Sequence, residues 1–397
     1  KRLVTLSLAY LEDSIERNKR SDGLYHAYHL LSFDKEGVSL YELDEMLEGQ
    51  VAVLSSGFVK GEEALEVLKS LRKSNLFRPD QYSYILYPNK QLPGFLERNI
   101  IPVEIAERSA FIQHLISDGE GQIVEKDTLG QYHFNGSFKN VDDLDQALDQ
   151  FFDEGKYRVE EQQFRQEIRE LFEQVFNHKS FTGRSGTFYA YEGLGSIYWH
   201  MVSKLLLAAQ ECCLEAIREE KDPVLVGQLL DHYYEIQAGI GVHKTPKLYG
   251  AFPTDPYSHT PMHRGAQQPG MTGQVKEDVI VRLKELGVFI KGGKITFHPC
   301  LLKKDEFLSH SERFTFLDAN GNDLSIEVNP GQLFFSYCQV PIIYTKSNSS
   351  KVKVEFFHGS QEEWEGQALT EELSQSIFQR EGKIRQLIVQ VNQKILK

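Results

Sequence analysis

The spacing of apolar residues changes near residue 290, and this change limits the folds open to the chain. Before it, apolar residues recur at helical spacing, as at Phe164, Ile168 and Leu171 in VEEQQFRQEIRELFEQVF. After it, runs such as DLSIEV and KVKVEF alternate apolar and polar side chains, which is typical of strands with one solvated face. The sequence therefore predicts a mainly α body over 1–290 and a small antiparallel β domain over 291–397.

Within the α body, most segments carry a helical pattern. The exception is GQIVEKDTLGQYHFNGSF (121–138). Here β-forming residues flank the turn sequence Asp127–Gly130, and this pattern predicts a hairpin insertion. An almost wholly apolar helix is predicted to begin near Trp199, as expected of a core helix in a large α domain. The other helices are predicted at about 3–18, 40–54, 61–74, 104–118, 142–153, 157–177, 222–238 and 274–288.

Charge and hydropathy exclude several classes of function. A net charge of −13 without a cluster of Lys and Arg argues against a nucleic-acid binder. No apolar run approaches the length of a membrane span, which indicates a soluble protein of the cytoplasm or periplasm. Because the sequence begins at Lys1, inside a helical pattern, we expect either a processed form or the C-terminal portion of a longer protein, whose N-terminal portion would be a partner.

The stretch SHTPMHRGAQQPGMTGQ (258–274) concentrates polar side chains just before a predicted helix. Arg and His suit phosphate or a carboxylate, and Gln can donate and accept hydrogen bonds together, as a sugar hydroxyl requires. The alternative is a loop that plugs one end of a helical domain, with its polar groups satisfied internally. The candidate binding residues are His259, His263, Arg264, Gln267, Gln268 and Gln274.

No metal site is predicted. His259 and His263 have a spacing of four residues, but Pro261 argues against a helix between them. The four cysteines show no spacing typical of metal ligands.

A second constellation, GRSGTFYAYEGLGS (183–196), places four glycines before the apolar helix. Glu192 has aromatic neighbours that could raise its pKa for general-acid work, or it could be a first-turn Glu favoured by the helix dipole. Tyr and His side chains are also bunched in SDGLYHAYHLLSF (21–33), where they could line a sugar cleft or form packed aromatics. The candidate binding residues of the Gly-rich stretch are Arg184, Ser185 and Thr187 for an oxyanion, with Tyr191 and Trp199 for stacking on sugar rings.

The order of these pieces resembles the C-terminal half of cellobiose-phosphorylase-like (α/α)6-barrel carbohydrate-active proteins. The matching pieces are Ser185-Gly186-Thr187, or Gly195-Ser196, before Trp199, and GGKITFHPCLL (292–302), which opens the β segment. The resemblance implies that the α body is an α/α toroid or part of one, and that Arg184–Thr187 is a phosphate loop. The Asp-Trp-Asn-type segment that carries the general acid in that family is not found, so no catalytic residue is carried over.

These observations favour a carbohydrate-active protein that cleaves a glycosidic bond by phosphorolysis or hydrolysis. Its catalytic acid would be Glu192 or Asp255, acting in a cleft at one end of the helical body. No cofactor is expected, although inorganic phosphate would be the co-substrate of a phosphorylase, and the ligand would be an oligosaccharide or a sugar phosphate. The alternative is a non-catalytic helical scaffold or interaction module of a larger carbohydrate-processing protein.

Overall fold

A computed structural model describes residues 2–34, 37–89, 93–117, 121–153, 161–176, 197–240, 244–249, 259–260 and 272–397. A mainly α arrangement followed by a small antiparallel β domain is confirmed. The chain divides into two compact units that interleave in sequence, and the domain boundary at residue 290 stays a prediction. The first unit comprises Lys1–Val53, Glu66–Tyr198 and Lys244–Gln268, and the second comprises Leu54–Leu65, Trp199–His243 and Pro269–Lys397.

The helices of the described ranges closely follow the apolar periodicity of the sequence. They are α1 (Arg2–Arg17), α2 (Leu47–Ser55), α3 (Glu62–Lys73), α4 (Phe95–Arg98), α5 (Val103–Arg108), α6 (Ala110–Ser117), α7 (Val141–Asp153), α8 (Glu161–Phe176), α9 (Trp199–Arg218), α10 (Pro223–Ala238), α11 (Pro246–Tyr249), α12 (Thr272–Glu285) and α13 (Glu371–Phe378). None of these helices is both long enough and apolar enough to cross a membrane.

Short strands pair in small sheets along the whole chain. They are β1 (His29–Asp34), β2 (Gly37–Glu42), β3 (Phe77–Arg78), β4 (Ser83–Tyr84), β5 (Val124–Lys126), β6 (Tyr132–Phe134), β7 (Ile197–Tyr198), β8 (His259–Thr260), β9 (Val288–Lys291), β10 (Lys294–Phe297), β11 (Glu312–Leu317), β12 (Asp323–Val328), β13 (Gln332–Tyr337), β14 (Val340–Ser347), β15 (Lys351–Phe356), β16 (Gln361–Glu365) and β17 (Ile384–Asn392). Sequential strands form antiparallel pairs from β1–β2 through β5–β6, and β7 pairs with the distant β8.

The helix predicted at 40–54 begins later than its sequence suggested. Residues 37–42 form β2, which pairs with β1 in register from His29↔Glu42 to Asp34↔Gly37, and α2 begins only at Leu47. Gly37, the first residue of β2, has a φ of +146°, which favours glycine. Aromatic and β-branched side chains then face each other at Phe33↔Val38, and such cross-strand pairs stabilise a hairpin.

Residues 101–176 of the first unit share one hydrophobic core. Its buried members come from α5 to α8 and from the β5–β6 hairpin, which lies inside 121–138. Phe111 stacks on Phe164 with ring centroids 4.4 Å apart, and Phe134 meets Phe172 edge to face at 5.1 Å. Aromatic pairs of this kind add to the stabilisation from burial alone. This stretch of sequence therefore contains enough apolar surface to form a core of its own.

Helix α4, which precedes this stretch, lies next to its last residue. Phe95 in α4 stacks on Phe176, the last residue of α8, with ring centroids 6.1 Å apart. The Arg98 guanidinium donates a hydrogen bond of 3.0 Å to the Phe176 carbonyl. The chain thus leaves this core close to the point at which it enters.

In the second unit, α9 is the central helix and most of its side chains are buried. Both α10 and α12 pack against it. The C-terminal part contains a five-stranded sheet in the order β13-β14-β17-β15-β16. All neighbouring strands in it are antiparallel except β14 and β17, which run parallel. The core between this sheet, the β9–β10 hairpin and α13 includes Ile295, Phe297, Tyr344 and Leu387.

Helix α12 ends at a turn that the β domain holds tightly. The Tyr344 hydroxyl donates a hydrogen bond of 2.5 Å to the Leu286 carbonyl, and the His298 amide donates one of 2.7 Å to the Gly287 carbonyl. Gly287 has a φ of +73°, and a Cβ atom there would lie 2.2 Å from the backbone of His298 and Pro299. Only glycine fits this helix end, because it tolerates both the φ and the close backbone.

We predict that Gly287→Ala destabilises the protein more than an alanine at an open glycine does. Gly331 is the matched control, since its φ of +80° imposes the same backbone strain but its Cβ would meet nothing within 4 Å. Urea unfolding should show a loss of about 1–2 kcal/mol for Gly331→Ala and a clearly larger loss for Gly287→Ala, because backbone atoms must also move. Equal losses would contradict the steric argument.

Candidate functional site

A two-stranded ribbon joins the ends of the two predicted site segments. Strand β7 directly follows the Gly-rich segment that ends at residue 196, and β8 lies at the start of the 258–274 loop. The strands pair antiparallel at Ile197↔Thr260 and Tyr198↔His259. Ile197 is fully buried, which anchors the ribbon in the first unit. Backbone positions about 60 residues apart in sequence are therefore neighbours.

A buried lysine supports the strand next to this ribbon. Strand β4 lies against β7, and the turn that precedes β4 receives a hydrogen bond from Lys244 Nζ to the Gln81 carbonyl. The Gln81 side chain in turn donates to the Leu248 carbonyl at 3.1 Å. The pKa of Lys244 is lowered to about 8, mainly by burial. The charge of Asp80 opposes this shift, and the charge of Arg78 adds to it.

Most of the predicted site residues lie outside the described residues. These are Arg184, Ser185, Thr187, Tyr191, Glu192, Asp255, His263, Arg264, Gln267 and Gln268. The structure gives only the backbone of His259, in β8, and of Gln274, in the first turn of α12. Trp199 begins α9 and is 1% exposed, so its ring is part of the buried surface of that helix. Its role in stacking on a sugar stays a prediction.

In the second unit, α9 and α12 run parallel to each other. His200 lies near Glu277, Gln210 donates to the Val281 carbonyl at 2.9 Å, and Lys284 donates to Glu211 at 2.9 Å. Residue numbers rise together along both helices in these three contacts. The first turn of α9 therefore lies beside the second turn of α12, at Glu277.

A cavity of about 700 Å³ adjoins the C-terminal half of α12. Three of its charged side chains, Asp278, Arg282 and Glu285, are spaced four and three residues apart on one face of that helix. Arg282 bridges Glu285 at 2.9 Å and Glu306 at 2.6 Å. Tyr234 lines the same cavity, with Lys303 Nζ 4.4 Å from its ring centroid. Carboxylates, cations and an aromatic ring are the groups that bind polyhydroxylated ligands.

Asp278 in this cavity is a candidate that the sequence reasoning missed. Half-burial raises the pKa of its carboxyl, with the nearby charge of Glu277 acting in the same direction. A carboxyl with a raised pKa is a candidate for general-acid work. The available signal was the Asp278–Arg282–Glu285 spacing in VKEDVIVRLKE, which also fits an ordinary solvated helix face.

The His and Tyr cluster of 21–33 forms a hydrogen-bonded group in the first unit. The Tyr28 hydroxyl donates to Glu48 at 3.1 Å, and His26 Nε2 lies 3.3 Å from Glu42. Tyr25, His26 and Tyr28 line a cavity of about 240 Å³. Drug-sized ligands occupy cavities of roughly 300–1,000 Å³, so this one has room for at most a small group. Among the described residues, no group of three or more His, Cys, Asp or Glu is placed to hold a metal ion.

We predict a pH-dependent contribution of Lys244 to stability. Its folded-state pKa of about 8 lies below the ordinary lysine value of 10.5, so the unfolded chain binds the proton more strongly than the folded protein does. The unfolding free energy of the wild type should therefore rise relative to Lys244→Met as pH increases from about 8 to about 10.5, by about 1.4 kcal/mol per unit of pKa difference. Below pH 8 the difference should be constant.

Chemical denaturation at a series of pH values measures this difference. The exposed Lys247 in α11 provides the matched control, because Lys247→Met removes the same charge from a solvated position. The prediction is refuted if the difference in unfolding free energy between the wild type and Lys244→Met stays constant between pH 8 and 10.5.

Comparisons with known proteins match one part of the chain. Residues 92–179 match the family model described as GH149 phosphorylase insertion domain 2. The comparison with curated proteins finds no match. The matched segment includes the core of residues 101–176 and the Phe95–Phe176 contact at its ends. The chain therefore has a glycoside-phosphorylase-like relationship, which this segment carries.

Proposed function

We propose that the protein takes part in cleaving glycosidic bonds, with phosphorolysis as the preferred reaction and hydrolysis as its variant. The observation that carries this proposal is the match of residues 92–179 to a phosphorylase insertion domain. The resemblance of residues 181–345 to cellobiose-phosphorylase-like proteins, and the α/α toroid that it implies, agree with it and belong to the same proposal. Its ligands would be an oligosaccharide and inorganic phosphate, or a sugar phosphate in the reverse direction.

In this proposal each predicted residue has a role that suits its chemistry. Glu192 or Asp255 protonates the oxygen of the departing sugar, which is the task of a general acid. Tyr191 and Trp199 form the sugar platforms. Arg184, Ser185, Thr187, His263 and Arg264 hold the phosphate, while His259, Gln267, Gln268 and Gln274 bind sugar hydroxyls.

The β7–β8 ribbon supports the idea that the two segments cooperate. It links the backbone after Arg184–Glu192 to the backbone before His263–Gln274. In an inverting hydrolysis, two carboxyl groups roughly 6.5–9.5 Å apart leave room for a water. In the phosphorolytic version, phosphate takes the place of that water, so a second carboxylate is replaced by cationic and hydroxyl side chains.

A non-catalytic scaffold or interaction module is the second candidate function. It is favoured by α1, which has no buried residue and exposes large apolar side chains such as Leu3, Tyr10 and Leu11. The β1–β2 hairpin also exposes Phe33 and Val38. Exposed apolar surfaces of this extent mark interaction sites. The scaffold would position another part of a carbohydrate-processing protein and would show no turnover itself.

We predict that the protein releases sugar 1-phosphate from a panel of disaccharides and glucans in the presence of inorganic phosphate. Replacing the true acid, by Glu192→Gln or Asp255→Asn, should lower kcat by about 10²–10⁴-fold, the usual contribution of general acid catalysis. Steady-state kinetics with separate assays for sugar 1-phosphate and reducing sugar distinguish phosphorolysis from hydrolysis.

Glu371→Gln is the matched control, because Glu371 is an exposed glutamate in the first turn of α13. It should leave kcat unchanged. If the folded wild type cleaves no glycoside in either assay, the result supports the scaffold function and contradicts the enzymatic function. If turnover occurs but both acid variants retain it, the assignment of the acid is wrong.

A further inference from the structure

A cavity of about 830 Å³ in the second unit is lined largely by apolar side chains. It lies against the C-terminal half of α9, and the end of α2, strand β9 and the turn after β10 also contribute to its lining. Cavities of roughly 300–1,000 Å³ hold small organic ligands. The apolar side chains of this lining are those of Leu54, Leu214, Ile217, Phe289 and Ile290.

Two buried cysteines extend this apolar lining as neutral thiols. Burial raises the pKa of Cys212 to about 12 and that of Cys300 to about 11, so both thiols stay protonated near neutral pH. The Cys212 thiol donates to the Leu54 carbonyl across 3.7 Å. A protonated thiol behaves as a small apolar group, so these two residues add no negative charge to the lining.

The two carboxylates of the lining are each paired with a lysine. Lys284 Nζ donates to Glu211 at 2.9 Å, and Lys60 Nζ donates to Glu215 at 2.7 Å. A lysine this close offsets most of the negative charge of a carboxylate at longer range. Glu211 and Glu215 therefore do little to repel an anion from the cavity.

Two cations of the lining have no carboxylate of this kind beside them. Arg218 is the last residue of α9 and Lys291 is the last residue of β9, and both are exposed. Within the described part of the chain, neither forms an ion pair. His298, which is also exposed, adds a further ring that can donate a hydrogen bond. The lining thus combines an apolar surface with a local excess of positive charge, on a chain whose net charge is −13.

We propose that this cavity binds a small organic anion that has an apolar aromatic or aliphatic body and one carboxylate-like group. The body packs on Leu214, Ile217 and Phe289, and the anionic group meets Arg218 and Lys291. A sugar fits this lining poorly, because its hydroxyl groups would lose water without gaining enough hydrogen-bond partners. The proposal is independent of the proposed glycosidic function, whose predicted residues belong to other segments of the chain.

Calorimetric titration of the full chain with 1-naphthoate and, separately, with 1-naphthamide tests the proposal. The two probes share one ring system and nearly the same size, but only naphthoate is charged. We expect naphthoate to bind about tenfold more tightly, because its carboxylate meets two cations. Raising the salt concentration should weaken the binding of naphthoate and not that of naphthamide, since exposed charges are screened.

Variants of the lining separate the charged part of the site from the apolar part. Arg218→Gln combined with Lys291→Gln should weaken naphthoate binding by about tenfold and leave naphthamide binding unchanged. The matched control is Arg313→Gln combined with Lys394→Gln, which removes the same charge from two exposed positions of the same unit and should change neither affinity. Ile290→Glu places a carboxylate at an exposed position of the lining, so it should weaken both probes, and naphthoate more.

Any of four results would overturn the proposal. The folded wild type could bind neither probe, or it could bind naphthamide as tightly as naphthoate. The variant without Arg218 and Lys291 could bind naphthoate as tightly as the wild type, which would place the probe elsewhere. Inorganic phosphate at the same concentration could displace naphthoate, which would show an anion site that does not select for an apolar body. Thermal unfolding of each variant confirms that it is folded when it is assayed.

Discussion

The buried carboxylate of Glu285 is the constraint on which the second unit depends. Its side chain is almost inaccessible to solvent, and an unpaired charge there would cost several kcal/mol. Three donors stabilise it: the Arg282 guanidinium at 2.9 Å, which supplies the opposite charge, and the neutral Tyr233 hydroxyl and Gln237 amide, each at 2.5 Å. Proximity to this carboxylate also contributes to the raised pKa of Tyr233, after burial itself. Glu285 therefore ties the end of α12 to α10.

The same network extends to α9 and to the β domain. The fully buried Gln210 amide bridges the Tyr233 hydroxyl and the Val281 carbonyl, so α9, α10 and α12 are linked through polar groups inside an apolar core. Arg282 continues it to Glu306, next to the β sheet. Gln210 Oε1 has no hydrogen-bond partner among the described residues, but the other groups of this network are hydrogen-bonded. Such a buried network favours one arrangement of its elements. It fixes the direction of α12 against α9, and this direction places His200 next to Glu277.

A structural feature could be predicted from the sequence when the residues that determine it are close together in the chain. Helices such as α8 and α9 were predicted within a few residues, because their apolar periodicity is local. The β1–β2 hairpin was missed, since SLYELDEMLEGQV also satisfies a helical pattern and its pairing with 29–34 is not local. The His200–Glu277 and Tyr198↔His259 neighbours depend on the packing of segments about 60–80 residues apart, which no spacing in the sequence shows.

The segment 92–179 shows why a long insertion need not disturb the fold around it. Its core is internal, and its first and last helices meet through the Phe95–Phe176 stack and the Arg98–Phe176 hydrogen bond. A domain whose ends are adjacent can be placed in a loop of another domain, because the host chain needs to bridge only a short distance. Contacts between the two ends also reduce the entropy cost that a long loop would carry. The match to an insertion domain thus agrees with a physical property of these residues.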